Sequence, residues 1–202
     1  MAALDRPKSA LWLVVLALVA EEPMHPYRMQ LLIKQRGKDE VANVAQRNSV
    51  YQTIAALGRA KLIVARETSR HESRPERTVY DITDAGRAKL LTWLRTAIAG
   101  PGREFPHFPA ALSLASLLGP HELRTALAAR AEWLHQRLAH LERPAPGVPR
   151  LFLLESEYMA AAARAELQWV GAVLADLESG ELDWDEAWLR EVAAHLEPSN
   201  DR

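Results

Sequence analysis

Apolar residues fall first into one dense block and then into a series of periodic stripes. Residues 10–20 (ALWLVVLALVA) are apolar throughout and predict a first helix over 9–20, buried on all sides. Ser9 suits its N-cap, and Glu21, Glu22 and Pro23 end it. A second helix starts near Met24–Tyr27 and runs through Met29, Leu32 and Ile33 to about Arg36, with Gly37 as its stop. After the polar connection 38–40, a third helix is predicted over 48–61. Val50, Ile54, Leu57 and the stem of Lys61 form its inner side, opposite Ser49, Gln52, Thr53, Ala56 and Arg59.

The period then changes. Residues 62–67 and 78–83 read as two strands, with Tyr80 and Ile82 on one face of the second. Between them, 68–77 (TSRHESRPER) carries Arg70, His71, Arg74 and Arg77, which makes a hairpin with a long basic tip. Thr83 caps a helix from Asp84 to about Ile98, with Leu90, Leu91, Leu94 and Ile98 expected inward. Gly100, Pro101 and Gly102 mark a boundary, which divides the chain into 1–99 and 100–202.

The second part has no strand pattern. A short helix over about 109–118 is broken by Gly119 and Pro120. A helix over 120–142 carries Leu123, Leu127, Arg130, Leu134, Leu138 and Leu141 at a spacing close to a coiled-coil seam. After the stiff linker 143–149 comes a long helix over 150–178, then a last one over about 184–196. The fold class expected is mainly α with a small β-hairpin wing. An N-terminal winged helix-turn-helix is followed by a C-terminal antiparallel helical dimerisation domain.

Charge sharpens this picture. Of 25 Lys+Arg and 26 Asp+Glu, residues 1–98 hold 16 and 10, a balance of +6, and the remainder is −7. A basic first half and an acidic second half suggest that only the first meets a polyanion. The absence of cysteine excludes disulfides and thiol chemistry and fits a reducing, cytoplasmic setting. The apolar run 10–20 is too short to span a bilayer, which needs about 20 residues. It is also weighed as a signal peptide behind Arg6 and Lys8, but the coherent fold that follows argues against removal.

A polar third helix followed at once by a basic hairpin is the plan of a protein that sets a helix in the major groove and a wing on the neighbouring backbone. Amide side chains match adenine edges and guanidinium groups match guanine, while hydroxyls and backbone amides suit phosphate. The candidate DNA-binding residues are Gln46, Arg47, Asn48, Ser49, Tyr51, Gln52 and Thr53 on the helix, and Arg66, Arg70, Arg74 and Arg77 on the wing. Tyr51 is read as a packing residue at the edge of the apolar side, with its hydroxyl toward phosphate.

Four segments also resemble the PadR-type transcriptional regulators. Glu22-Pro23-Met24-His25-Pro26-Tyr27 is similar to their E-x-P-M-H-G-Y, and Asn48-Ser49-Val50-Tyr51-Gln52-Thr53-Ile54 to G-T-L-Y-P-A-L. Lys61-Leu62-Ile63 stands where they have G-L-[IV], and residues 77–86 (RTVYDITDAG) resemble R-R-x-Y-x-[IL]-T-x-x-G. Residues 166–169 and 177–180 resemble the C-terminal region of the longer members. The resemblance implies homodimers that repress or activate promoters, sometimes under a small-molecule effector, and a DNA role around Ser49 and Tyr51. Pro26, Gln52 and Lys61 depart from the usual glycine, proline and glycine.

Combined, these readings predict a DNA-binding regulator, a repressor acting as a homodimer on palindromic double-stranded DNA, paired through its C-terminal helices, with no membrane role. A helical protein–protein adaptor and an aromatic small-molecule-binding protein are the rivals. Six tryptophans supply the latter's site, with Trp93 and Trp169 as candidate ligand contacts, against the plainer reading that each packs a core or seam. His25 is read as part of a helix start rather than a pH sensor. No enzyme, cofactor or metal site is expected. His121-Glu122 lacks the second histidine of a zinc protease motif because Thr125 stands there, and Asp183 and Asp185 lack the rest of a calcium loop.

Overall fold

The computed structural model describes residues 7–44, 49–66, 78–100 and 106–196. The chain divides into two compact units, Met1–Glu104 and Phe105–Arg202. It is mainly helical, with one two-stranded antiparallel hairpin.

The first unit forms around α1 (Ala10–Glu21). Leu11, Val15, Leu16, Leu18 and Val19 are buried, and Trp12, Leu13, Val14 and Ala17 pack against the same core. A helix apolar on every side needs neighbours on every side. They are α2 (Pro26–Gln35), α3 (Ser49–Arg59), α4 (Asp84–Ala99) and the hairpin of β1 (Ile63–Arg66) and β2 (Val79–Ile82). Each fully buried Leu, Ile, Val or Met in this core contributes about 1.5–3 kcal/mol. The register pairs Ile63 with Ile82 and Arg66 with Val79. The far edge of β2 is also occupied. Met24 and Tyr80 exchange two backbone hydrogen bonds at 3.0 Å, so the α1–α2 turn serves as a one-residue third strand.

The helix starts follow their capping chemistry. His25 precedes Pro26 and accepts from the Tyr27 amide through Nδ1 at 3.1 Å, as the plainer reading of this histidine expected. Thr83 accepts from the Gly86 amide at 3.0 Å, while its own hydroxyl donates to the Lys61 carbonyl at 2.8 Å. One side chain thus caps α4 and ties it to the end of α3.

The inner face of α4 differs from the expected one. Gly86, Leu90 and Trp93 are buried, whereas Leu91, Leu94 and Ile98 are exposed, Ile98 by 85%. The close approach of Gly86 to the Leu62 carbonyl fixes the rotation of α4, and Leu90 and Trp93 follow at i+4 and i+7 on that face.

The second unit is a helical hairpin. In α6 (Pro120–Leu141), Leu123, Leu127, Leu134 and Leu138 are buried with Ala160, Ala163 and Val170 of α7 (Leu154–Ser179). Ion pairs join Arg130 to Glu166 and Glu142 to Arg164, and Arg137 donates to the Met159 sulfur at 3.7 Å. As positions on α6 advance from Arg130 to Arg137, those on α7 recede from Glu166 to Met159, so the two helices run antiparallel. Small residues on α7 let the leucines of α6 approach closely. The expected helix over 109–118 is instead α5 (His107–Leu112) followed by a 3-10 turn, Ala115–Leu117. Before α7, Arg150 holds Glu157 in a two-pronged ion pair, and that hydrogen bonding keeps the Glu157 carboxyl below its ordinary range. Gly180, at φ +78°, ends α7 in the left-handed region. The last helix, α8, spans Glu186–Leu196. No described helix is long and apolar enough to cross a membrane.

Candidate nucleic-acid interface

The orientation of α3 decides which side chains can meet a partner. Val50, Thr53, Ile54 and Leu57 form its buried stripe. The face directly opposite carries Tyr51, Gln52, Ala55 and Arg59, all exposed. Ser49 and Ala56 lie half-buried on the flank turned toward the start of α1.

This corrects the expected face in two respects. Thr53 was expected outward, yet it is only 7% exposed, because the helix rotates it toward α1. Tyr51 was expected to pack, yet it is 47% exposed and stands among the outward residues. The accessible surface is therefore centred nearer Tyr51 and Ala55 than the polarity pattern implied. Ala55 and Arg59 were absent from the candidate site. Their signal was positional, since they follow Tyr51 and Gln52 at i+4 and i+7, but alanine carries no polarity to reveal a face.

The hairpin begins directly after α3. Lys61 makes the turn at φ +58°, a left-handed conformation that disfavours side chains with a β-carbon. The resembled motif has glycine at this point, which supplies the physical reason for that glycine. On β1, Arg66 forms an ion pair with Asp81, two positions diagonal to it across the ladder. Its guanidinium is therefore already engaged at the end of the described strands away from α3, although largely exposed. Gln46, Arg47 and Asn48, and the wing residues Arg70, Arg74 and Arg77, lie outside the described residues.

The two candidate ligand tryptophans belong to different cores. Trp93 is 5% exposed, its ring 6.0 Å from that of Trp12 in the first unit. A buried indole that completes a core has no free face for a ligand, so its proposed ligand role is corrected. Trp169 is 45% exposed in the second unit and meets Phe108 edge-on at 6.2 Å. Phe108 in turn receives the Arg130 guanidinium over its ring at 3.4 Å.

Residues 15–92 match the transcriptional regulator PadR-like family. The chain carries a PadR-like domain. Those residues run from within α1 to within α4 and include α3 and both strands of the hairpin. Solved structures extend the likeness beyond the PadR-like domain. Bacillus subtilis PadR, in complex with operator DNA, superposes with a TM-score of 0.62 at 18% identity, covering 83% of this chain and 98% of that one. The same protein in complex with p-coumaric acid gives 0.61 at 16% identity over 83% and 98%. The Vibrio cholerae virulence activator AphA gives 0.63 at 22% identity over 84% and 99%. At these identities the likeness establishes a shared fold, with the PadR-like domain followed by a helical region. No curated protein matches the sequence.

Proposed function

We propose that this chain is a sequence-specific DNA-binding regulator that acts as a homodimer and represses promoters carrying a palindromic operator. The observation that carries the reading is the outward stripe of α3, Tyr51, Gln52, Ala55 and Arg59, held on a packed core immediately before a two-stranded wing. A helix so presented fits the major groove. Gln52 and Arg59 offer hydrogen bonds to base edges, Ala55 suits a thymine methyl, and Tyr51 and Ser49 suit phosphate. Gln46, Arg47 and Asn48 approach the bases and phosphates beside them. Arg70, Arg74 and Arg77 serve the wing, and Arg66 joins them if DNA displaces Asp81. The fold is that of Bacillus subtilis PadR, which was solved on operator DNA.

Dimerisation through the second unit, taken as a domain over 100–202, belongs to the same proposal. A hairpin of two long helices has one buried seam, and its elbow leaves Leu151, Phe152 and Tyr158 exposed by 72%, 68% and 75%. Apolar surface of this kind favours a second copy. Control by a small-molecule effector completes the reading, with Trp169 as its aromatic contact. Bacillus subtilis PadR, of the same fold, was solved with p-coumaric acid. A protein working on DNA in this way acts in the cytoplasm.

The test is selection from a random duplex pool with the purified chain. A palindromic consensus is expected. Absence of any duplex binding at low salt would leave a helical adaptor as the better account.

A further inference from the structure

The rotation that buries Gly86, Leu90 and Trp93 leaves a continuous stripe on another side of α4. Arg87, Leu91, Leu94, Arg95 and Ile98 follow one another at i, i+4, i+7, i+8 and i+11, and all are exposed. Arg87, Lys89 and Arg95 against Asp84 give this helix a balance of +2. The stripe is therefore aliphatic, with cations beside it.

The α8 helix carries the matching features. It spans eleven residues, none of the described ones buried, with Trp188 exposed and Leu189 and Val192 half-buried along one side. Asp185 accepts from the Trp188 amide at 2.8 Å and so caps its start. Residues 181–196 hold five carboxylates against Arg190, a balance of −4. A helix of this length is about 16 Å long, the distance over which the α4 stripe runs from Arg87 to Ile98. Area decides what kind of partner brings such a helix. Three aliphatic side chains cover far less than the roughly 800 Å² that a specific interface takes from each side. The stripe can therefore hold only a partner that is already tethered elsewhere, at high local concentration.

We propose that the α4 stripe docks α8 of a second copy of this chain. Leu91, Leu94 and Ile98 meet Trp188, Leu189 and Val192, and the arginines of one helix face the carboxylates of the other. The proposal rests on the homodimer reading above. The contact is reciprocal, since each copy's α4 receives the other's α8. It couples each DNA-binding unit to the partner copy, so that pairing of the second units also steadies the two reading helices.

The chain has no cysteine, so an introduced thiol is its only one. The test co-expresses a Leu94→Cys chain with a Trp188→Cys chain and treats the product with a short bifunctional maleimide. A covalent heterodimer is expected from the mixture, and little product from either variant alone. Ile98, 85% exposed, can be changed without disturbing the core, and Ile98→Asp should raise the dimer dissociation constant roughly tenfold in sedimentation equilibrium. If the unaltered chain is a dimer but either result fails, the α4 contact is wrong while the homodimer reading survives. Linking of Leu94→Cys with itself would set α4 against α4 and overturn the proposal in the same way. If the unaltered chain sediments as a monomer, the reading beneath the proposal fails and takes it along.

Discussion

The carbonyl oxygen of Leu62 occupies the space that a side chain on Gly86 would need. A β-carbon built there stands 2.0 Å from that oxygen and 2.9 Å from the Ile82 side chain. The obstacle is backbone, held in place because the same carbonyl accepts from the Thr83 amide at 3.1 Å. Gly86→Ala must therefore push α4 away from the hairpin root. It is expected to destabilise the chain by about 2–4 kcal/mol, read by chemical denaturation. An unchanged midpoint would show that α4 can shift without cost.

Lys61 carries the opposite kind of prediction. At φ +58° it holds a conformation that costs a residue with a β-carbon roughly 1–2 kcal/mol, partly offset by glycine's greater freedom in the unfolded chain. Lys61→Gly should raise stability by about 0.5–1 kcal/mol, and Lys61→Val should lower it by about 1–2 kcal/mol. Thermal unfolding of the two variants checks both signs.

His25 caps α2 through a ring nitrogen. Replacing it with alanine removes the acceptor for the Tyr27 amide and should cost about 1 kcal/mol, whereas His25→Asn should restore most of it. Equal losses in both variants would mean that the ring acts by packing rather than by capping.

Gln52 and Arg59 stand on the outward face of α3. If that face reads bases, Gln52→Ala should change the preference at one operator position by about 1–3 kcal/mol, and Arg59→Ala at another. Competition binding with single-base variants of a selected site measures this. Arg74→Ala, at a position proposed to meet the backbone, should instead weaken all sequences alike and flatten the salt dependence.

The elbow before α7 tests the proposed pairing. Phe152→Asp places a charge on an exposed apolar surface, which a monomer tolerates and an interface does not. The expected result is a shift from dimer to monomer in sedimentation equilibrium with helicity retained. A variant that stays dimeric moves the interface elsewhere.

Much of the candidate site's position was legible along the chain, but its facing was not. Val50, Ile54 and Leu57 marked α3 and its buried stripe correctly, since branched aliphatic side chains at helical spacing have one favourable destination. Thr53 and Tyr51 were assigned the wrong way round. Threonine tolerates either environment when its hydroxyl lies at a groove, and a tyrosine ring can stand outward. Neither residue type determines its own burial without knowing what lies across from it. In the same way Leu91, Leu94 and Ile98 promised an inward face for α4 that the contact at Gly86 turned aside.

By itself the sequence determined the order of elements, because each rests on local causes: apolar period, caps such as Thr83, and breaks at Gly37 and Gly180. Only the tertiary structure decided which faces meet. The Met24–Tyr80 pairing, the Arg66–Asp81 ion pair and the rotation of α3 over α1 join residues that are distant in sequence or share a face only once the strands are registered. Such contacts depend on how rigid elements pack together, and no local pattern encodes that choice.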